Sequence, residues 1–391
     1  MSALSTMTYR TQGDVPAAAH GTKWAEVDVA ALRDNTAALR RWVGEESSVM
    51  AMVKANGYGH GALHAARAAL AGGAGWLGVS STTEALELRQ AGIGARILNC
   101  GWTMPSEMGA ACANGIDIAV FSPADVGAAR QAARSARGPL RVHWKIDTGM
   151  GRLGTRIDDV AVMRDALLSA RGDVEVAGIF THFASADEAS IDFTAAQHRR
   201  FLTVVSPLRE RFPGALLHCA NSAAALRLRD THHDIIRPGI ALYGYPPAHC
   251  AGVVDVRPAL HVRALVTLVK EVGPGDSVGY GREWIAPRRT RVATVAAGYA
   301  DGVDRRNGNR GAVIAGGVVC PMIGRISMDQ LSIDVSGAAV QAGDAVTLMG
   351  AGDGQSIDAA AVAERIGTIS YEVLCAVSLR VPRIPVDVIG G

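Results

Sequence analysis

Lysine is scarce in this chain. Of 39 basic residues only four are lysines, Lys23, Lys54, Lys145 and Lys270. Arginine is the default cation, so each lysine calls for a reason. Aromatic residues make up 5% of the 391 residues, net charge is +2 and no basic tract is present, which leaves no electrostatic footprint for nucleic acid. No apolar run approaches the roughly 20 residues of a membrane span. The stretch from Met1 to Ala19 is polar and lacks the apolar core of a secretory signal, so a cytoplasmic location is expected. Six cysteines, at Cys100, Cys112, Cys219, Cys250, Cys320 and Cys375, include no CxxC pair. That pattern fits reduced thiols better than a disulfide framework. Walker loop and HExxH are both missing, which removes the usual signals of nucleotide hydrolases and zinc proteases.

What is there is a long alternating pattern. Between about Ala25 and Tyr245, short apolar runs alternate with Ala/Leu/Arg stretches of helical period, as in repeated βα units. Eight strands are expected at Ser48–Ala55, Trp76–Ser80, Arg96–Gly101, Asp117–Phe121, Leu140–Asp147, Val174–His182, Leu216–Ser222 and Ile235–Tyr243. The fold class implied is α/β, a (β/α)8 TIM-like barrel; an open doubly wound sheet fits eight parallel strands less well. After Gly244-Tyr245-Pro246-Pro247 the pattern becomes strands between Gly, Pro and Asp turns, with one helix at Asp358–Arg365 and a last strand at Ala376–Pro382. The expected organisation is a tail over residues 1–21, a barrel over 22–247 and a mostly β C-terminal domain over 248–391, since one core rarely grows past about 300 residues.

In a barrel, functional groups gather at the C-terminal ends of strands. Lys54 closes the first apolar run and opens Lys54-Ala55-Asn56-Gly57-Tyr58-Gly59-His60-Gly61. A lysine in a buried run suggests an amine that can lose its proton, which arginine cannot supply; one reading is a Schiff-base lysine, the other a side chain snorkelling to solvent. The loops after strands seven and eight offer the hydroxyl of Ser222 and, at Gly239-Ile240, a backbone open to close approach. Loops in that place commonly bind phosphate. An amine on one side and a phosphate site on the other describe a pocket for pyridoxal phosphate.

At these residues the chain resembles the alanine racemase family, barrel-type (fold III) enzymes dependent on pyridoxal 5'-phosphate. Val53 to Gly61 is similar to the family's lysine signature, and Asp147-Thr148-Gly149-Met150-Gly151-Arg152, Thr181-His182-Phe183, Ala220-Asn221-Ser222, Arg237-Pro238-Gly239-Ile240, Gly279-Tyr280-Gly281, Gly298-Tyr299-Ala300-Asp301-Gly302, Gly324 to Gln330 and Tyr371-Glu372-Val373 follow in family order. The resemblance implies interconversion of L- and D-alanine by two bases, Lys54 and Tyr280, the latter from the partner subunit of a homodimer with shared active sites, with D-alanine supplied to peptidoglycan. It implies that Tyr58, Ser222, Gly239, Ile240 and Tyr371 hold the cofactor phosphate, that His182 lies against its ring and that Arg237 faces its ring nitrogen. Arg152, with the backbone of Met328, would take the substrate carboxylate, and Lys145 would be carbamylated beside Arg152.

Each residue also has an ordinary reading. Tyr280 could be a packing tyrosine, His182 a core histidine, Ser222 a helix cap, Arg152 a surface ion-pair partner, Arg237 a partner of Asp234, and Lys145 a partner of Asp147 or Asp187. Three other activities stay open at this point. They are a broad-specificity racemase for serine, lysine or arginine, a decarboxylase of the same fold, disfavoured by a cation at Arg237, and a non-catalytic protein that binds pyridoxal phosphate.

Overall fold

A computed structural model describes residues 21–386; the expected N-terminal tail falls outside them except for Gly21. Two compact units are present, residues 31–257 and a unit made of residues up to 30 together with 258 onward. The strands in chain order are β1 (Lys23–Asp28), β2 (Ser48–Met52), β3 (Trp76–Val79), β4 (Arg96–Asn99), β5 (Ile116–Val120), β6 (Leu140–Asp147), β7 (Thr155–Arg156), β8 (Val174–Phe180), β9 (Leu216–His218) and β10 (Ile235–Ile236).

In the first unit eight parallel strands run in the order β10-β2-β3-β4-β5-β6-β8-β9, with β7 paired to β6. β9 and β10 form no ladder, but Asp234 N donates to Leu217 O at 3.1 Å and Arg237 N to Ala220 O at 2.9 Å, which nearly closes the barrel. Every residue of β3 and of β5 is buried, as expected when helices cover a parallel sheet. The helices begin where polar side chains stop their frayed ends. Ser122 Oγ accepts from Asp125 N at 3.3 Å while Asp125 Oδ2 accepts from Ser122 N at 2.9 Å, a reciprocal cap ahead of the helix Pro123–Ala136.

The second unit continues with β11 (Leu260–Val272), β12 (Ser277–Val278), β13 (Trp284–Ile285), β14 (Thr290–Val295), β15 (Ala312–Ala315), β16 (Val318–Ile323), β17 (Leu331–Asp334), β18 (Ala345–Gly352), β19 (Gln355–Ile357) and β20 (Arg383–Val386). Six of them close an antiparallel ring, β11-β14-β17-β16-β15-β18 and back to β11.

Several expected boundaries move. Residues 23–30, expected in the barrel segment, belong to the β unit, because β1 pairs antiparallel with β11 and parallel with β20. The β unit takes up again at Pro258 rather than at 248. A second helix, Ser370–Ala376, stands beside the one expected, and the last strand begins at Arg383 rather than at Ala376. β2 stops at Met52, before Lys54. Strand eight contributes only Ile235–Ile236, and Ile240–Tyr243 coils into a single 3-10 turn.

Candidate functional site

Lys54 opens a short turn whose backbone runs left-handed through four residues: φ is 51° at Ala55, 52° at Asn56, 62° at Gly57 and 51° at Tyr58. A left-handed conformation costs a non-glycine residue about 1–2 kcal/mol, so this turn must be held from outside. Glu84 holds it: Oε1 accepts from Ala55 N at 2.7 Å and Oε2 from Ser80 N at 2.9 Å. Asn56 Oδ1 accepts from Ala62 N at 2.9 Å. Strain concentrated this way is typical of sites where a side chain must be aimed, and it turns the chain back so that Tyr58 reaches the end of the barrel's last strand.

Tyr58 is buried and stacks on Tyr243, with ring centroids 4.8 Å apart. A Cβ at Gly239 would collide with the Tyr58 hydroxyl, so only glycine lets this backbone and that phenol meet. Ser222 Oγ accepts from Gly239 N at 2.8 Å, which leaves its own hydrogen to donate. Ile240 is buried beside them and opens the 3-10 turn. The cap of the helix Ser222–Arg227 is Asn221, whose side chain accepts from Ala224 N at 3.0 Å, so Ser222 is not spent on capping. Tyr58, Ser222, Gly239 and Ile240 thus come together as a cradle with hydroxyl donors and no carboxylate among them.

Arg237, two residues before Gly239, belongs to a cluster of cations. Burial and then the charges of Arg237, Lys145, Arg152 and Lys54 push His182 well below the ordinary imidazole range, which places all four cations around one neutral ring. Arg237 is 5% exposed. Its guanidinium donates to His218 Nδ1 at 2.8 Å, to Thr181 O at 2.8 Å and to Cys219 O at 3.3 Å, and lies 3.3 Å from His182 Nδ1. None of these is a carboxylate, and Asp234, the ordinary partner expected, instead accepts from Leu217 N at 2.6 Å. Lys145 is 4% exposed and makes no ion pair among the described residues; burial, Arg237 and Arg152 bring its amine down to about 8. Asp147 is committed to its own loop, accepting from Gly149 N and Met150 N at 2.9 Å and from Gly151 N at 3.0 Å. That loop carries Arg152, which is exposed.

A polar thread behind Arg237 has no signature in the sequence. His218 Nε2 lies 2.8 Å from His143 Nδ1, and His143 Nε2 lies 3.3 Å from Asp117 Oδ2. Asp117 also binds Arg96 at 2.5 Å and Arg141 at 2.8 Å. Because a guanidinium only donates, His218 must accept at Nδ1 and carry its hydrogen on Nε2, and His143 must repeat the pattern. Burial depresses both imidazoles, which keeps them neutral. Burial alone would raise the Asp117 carboxyl, but the His143 hydrogen bond and the charges of Arg96 and Arg141 outweigh it and hold it low. His218, His143, Asp117, Glu84 and Cys100, whose thiol is raised by burial near Arg237, Lys54 and Lys145, are the members that sequence reading missed.

In the β unit, Tyr280 opens a tight turn between Gly279 (φ 82°) and Gly281 (φ 73°) and is 71% exposed. That exposure is at odds with a packing role for the ring. Met328 is also exposed, and its carbonyl accepts from Ala300 N at 3.0 Å. Tyr371 lies in the helix Ser370–Ala376, partly buried.

Residues 27–247 match the family profile described as alanine racemase, N-terminal domain, and residues 259–385 that of alanine racemase, C-terminal domain. The alanine racemase of Desulforamulus reducens is 40% identical over 366 residues, covering 92% of this chain and 98% of that protein. The crystal structure of alanine racemase from D-cycloserine-producing Streptomyces lavendulae superimposes with a TM-score of 0.88 at 37% identity, covering 95% of this chain and 97% of that one. That of the Bartonella henselae enzyme, with covalently bound pyridoxal phosphate, superimposes at 0.84 and 28% identity over 94% and 100% of the two chains. The amine of Lys54, the hydroxyl cradle at Ser222 and Tyr58, and the carboxylate-free cation Arg237 fit such a cofactor, and the chain belongs to the alanine racemase family, isomerases that act on alanine with pyridoxal 5'-phosphate.

Proposed function

We propose that this protein interconverts L- and D-alanine with two bases, Lys54 on one face of the substrate and Tyr280 of a second copy of the chain on the other. The observation that carries the reading is the grouping of Lys54, Lys145, Arg152 and Arg237 around His182, beside the Ser222–Gly239 cradle. Pyridoxal phosphate, when bound, supplies the electron sink that makes the alanine Cα–H acidic. The phosphate would be held by Tyr58, Ser222, Gly239, Ile240 and Tyr371, and the ring by His182 and Arg237. Lys54 would bind the cofactor carbonyl and then give and take the Cα proton; Tyr280 would do the same from the opposite side. Arg152, with the Met328 backbone, would hold the alanine carboxylate. Arg237 is a permanent cation without a carboxylate partner, so it would discourage a second positive charge on the ring nitrogen. A restrained sink favours returning the proton over losing carbon dioxide or transferring the amine.

Lys145 would take up carbon dioxide: its neutral amine adds to CO2, releasing one proton and forming a carbamate anion that faces Arg152. A 13C carbamate signal from labelled bicarbonate, lost in Lys145→Met, is expected; a spectrum unchanged by the substitution counts against it. A homodimer is supported by the exposure of Tyr280, Tyr299, Met328 and Ile369 on the β unit, apolar surface suited to a partner. We propose likewise a role in supplying D-alanine for peptidoglycan, in the cytoplasm.

The test is exchange of the α-proton in D2O for L-alanine, L-serine and L-lysine. Fast exchange for alanine with D-alanine formed, abolished in Lys54→Ala together with covalent cofactor retention, is the expected result. Exchange led by lysine points to a broad-specificity racemase, and a bound cofactor with no exchange to a carrier protein.

A further inference from the structure

Three metal-ligating side chains converge at the barrel's last seam, on the side covered by the helix Asp192–Arg209. His198 belongs to that helix, Cys219 follows β9 and His233 precedes β10. Their donor atoms all lie within 4.8 Å of one another, and His198 Nε2 is 2.9 Å from His233 Nε2. The thiol of Cys219 is buried and donates to Thr231 O at 3.2 Å. Burial lowers both imidazoles, His233 to about 4 with His198 adding to the effect, against smaller opposing charges from Asp230 at His198 and Asp234 at His233. Nothing in the racemase reading uses these groups.

We propose that His198, Cys219 and His233 form a binding site for a thiophilic divalent cation, zinc foremost. Imidazole and thiolate together select such ions over magnesium or calcium. A tetrahedral zinc site has metal–nitrogen bonds of about 2.1 Å and a metal–sulfur bond of about 2.3 Å, which spaces ligand atoms roughly 3.5 Å apart. The two imidazoles open by less than about 1 Å, and Sγ moves in by a similar amount. The imidazole now donating through Nε2 shifts that hydrogen to Nδ1, both Nε2 lone pairs turn to the ion, and the thiol proton leaves to solvent. Water completes the fourth position. The ligands come from a helix, the end of β9 and the approach to β10, so the ion staples the one seam of the barrel that has no strand ladder. It also acts next to Arg237, which donates to Cys219 O at 3.3 Å.

The test uses chelator-dialysed holoenzyme titrated with zinc, read by equilibrium dialysis, thermal midpoint and zinc X-ray absorption. One zinc per chain is expected, with one sulfur near 2.3 Å and nitrogens near 2.1 Å, and a thermal midpoint that rises with free zinc. Cys219→Ser loses the sulfur shell. His198→Gln, at a half-buried position, weakens binding more than about tenfold with cofactor absorbance unchanged. Zinc bound without sulfur, a sulfur shell that survives Cys219→Ser (the exposed Cys375 being the obvious source), or no uptake would overturn the site and leave a hydrogen-bonded histidine pair.

Discussion

Lys145 and Gly239 show what one buried group decides. The Lys145 amine is lowered from 10.5 to about 8, chiefly by burial. In the unfolded chain it binds its proton more tightly, so the penalty for burying it is present in full below pH 8 and is relieved as pH rises toward 10.5. Replacing it with methionine in CO2-free buffer should therefore stabilise the protein at pH 7 by up to about 3 kcal/mol, a gain that shrinks through that window in urea melts; a pH-independent gain would refute the burial account. Gly239→Ala sets a methyl against the Tyr58 hydroxyl. We expect about 1–3 kcal/mol of overpacking cost, partly restored by Tyr58→Phe, which removes the colliding oxygen, and faster cofactor loss on dialysis, which Tyr58→Phe does not restore because it also removes a phosphate donor.

Among elements, the left-handed turn after Lys54 is held from the helix Thr82–Gln90 and the thread beneath Arg237 from other strands. Glu84 is the external brace of the turn, and truncating it to alanine hands two solvent-exposed backbone donors to water, at about 0.5–1.5 kcal/mol. Glu84→Ala should lower the urea midpoint and loosen covalent cofactor retention, while Glu87→Ala on the same helix, an exposed position, should do neither. Asp117 anchors three partners at once. Asp117→Ala should cost roughly 3 kcal/mol, toward the low end for a broken buried pair because both arginines reach solvent. A loss indistinguishable from zero would show that water replaces the carboxylate. Neither brace was legible beforehand, since Glu84 reads as an ordinary first-turn acid and Asp117 as the polar start of an apolar strand.

At the scale of the whole molecule, a shared active site makes a prediction that no single chain can satisfy. Lys54→Ala and Tyr280→Phe proteins are each expected to be inactive; mixed and allowed to exchange subunits, about a quarter of sites regain both bases if association is random. Absence of rescue in demonstrated heterodimers would sink the shared-site scheme.

Residues close in sequence and chemistry were readable directly: the Lys54 motif, the Asp147–Arg152 loop, the Arg237–Ile240 loop and the alternation of apolar runs that makes eight barrel strands all express local periodicity or contiguous donor sets. The sequence by itself therefore determined the barrel and the family, and it supplied the side chains we propose for the cofactor site. Pairing across distance was decided only in three dimensions. β1 joins the β unit because its ladder partners are more than 200 residues away, and Asp117, His143 and His218 become one thread across β5, β6 and β9 because Gly178 of the intervening β8 leaves room for His143. The left-handed turn likewise exists because tertiary hydrogen bonds outweigh a backbone preference that the local residues, left to themselves, would obey.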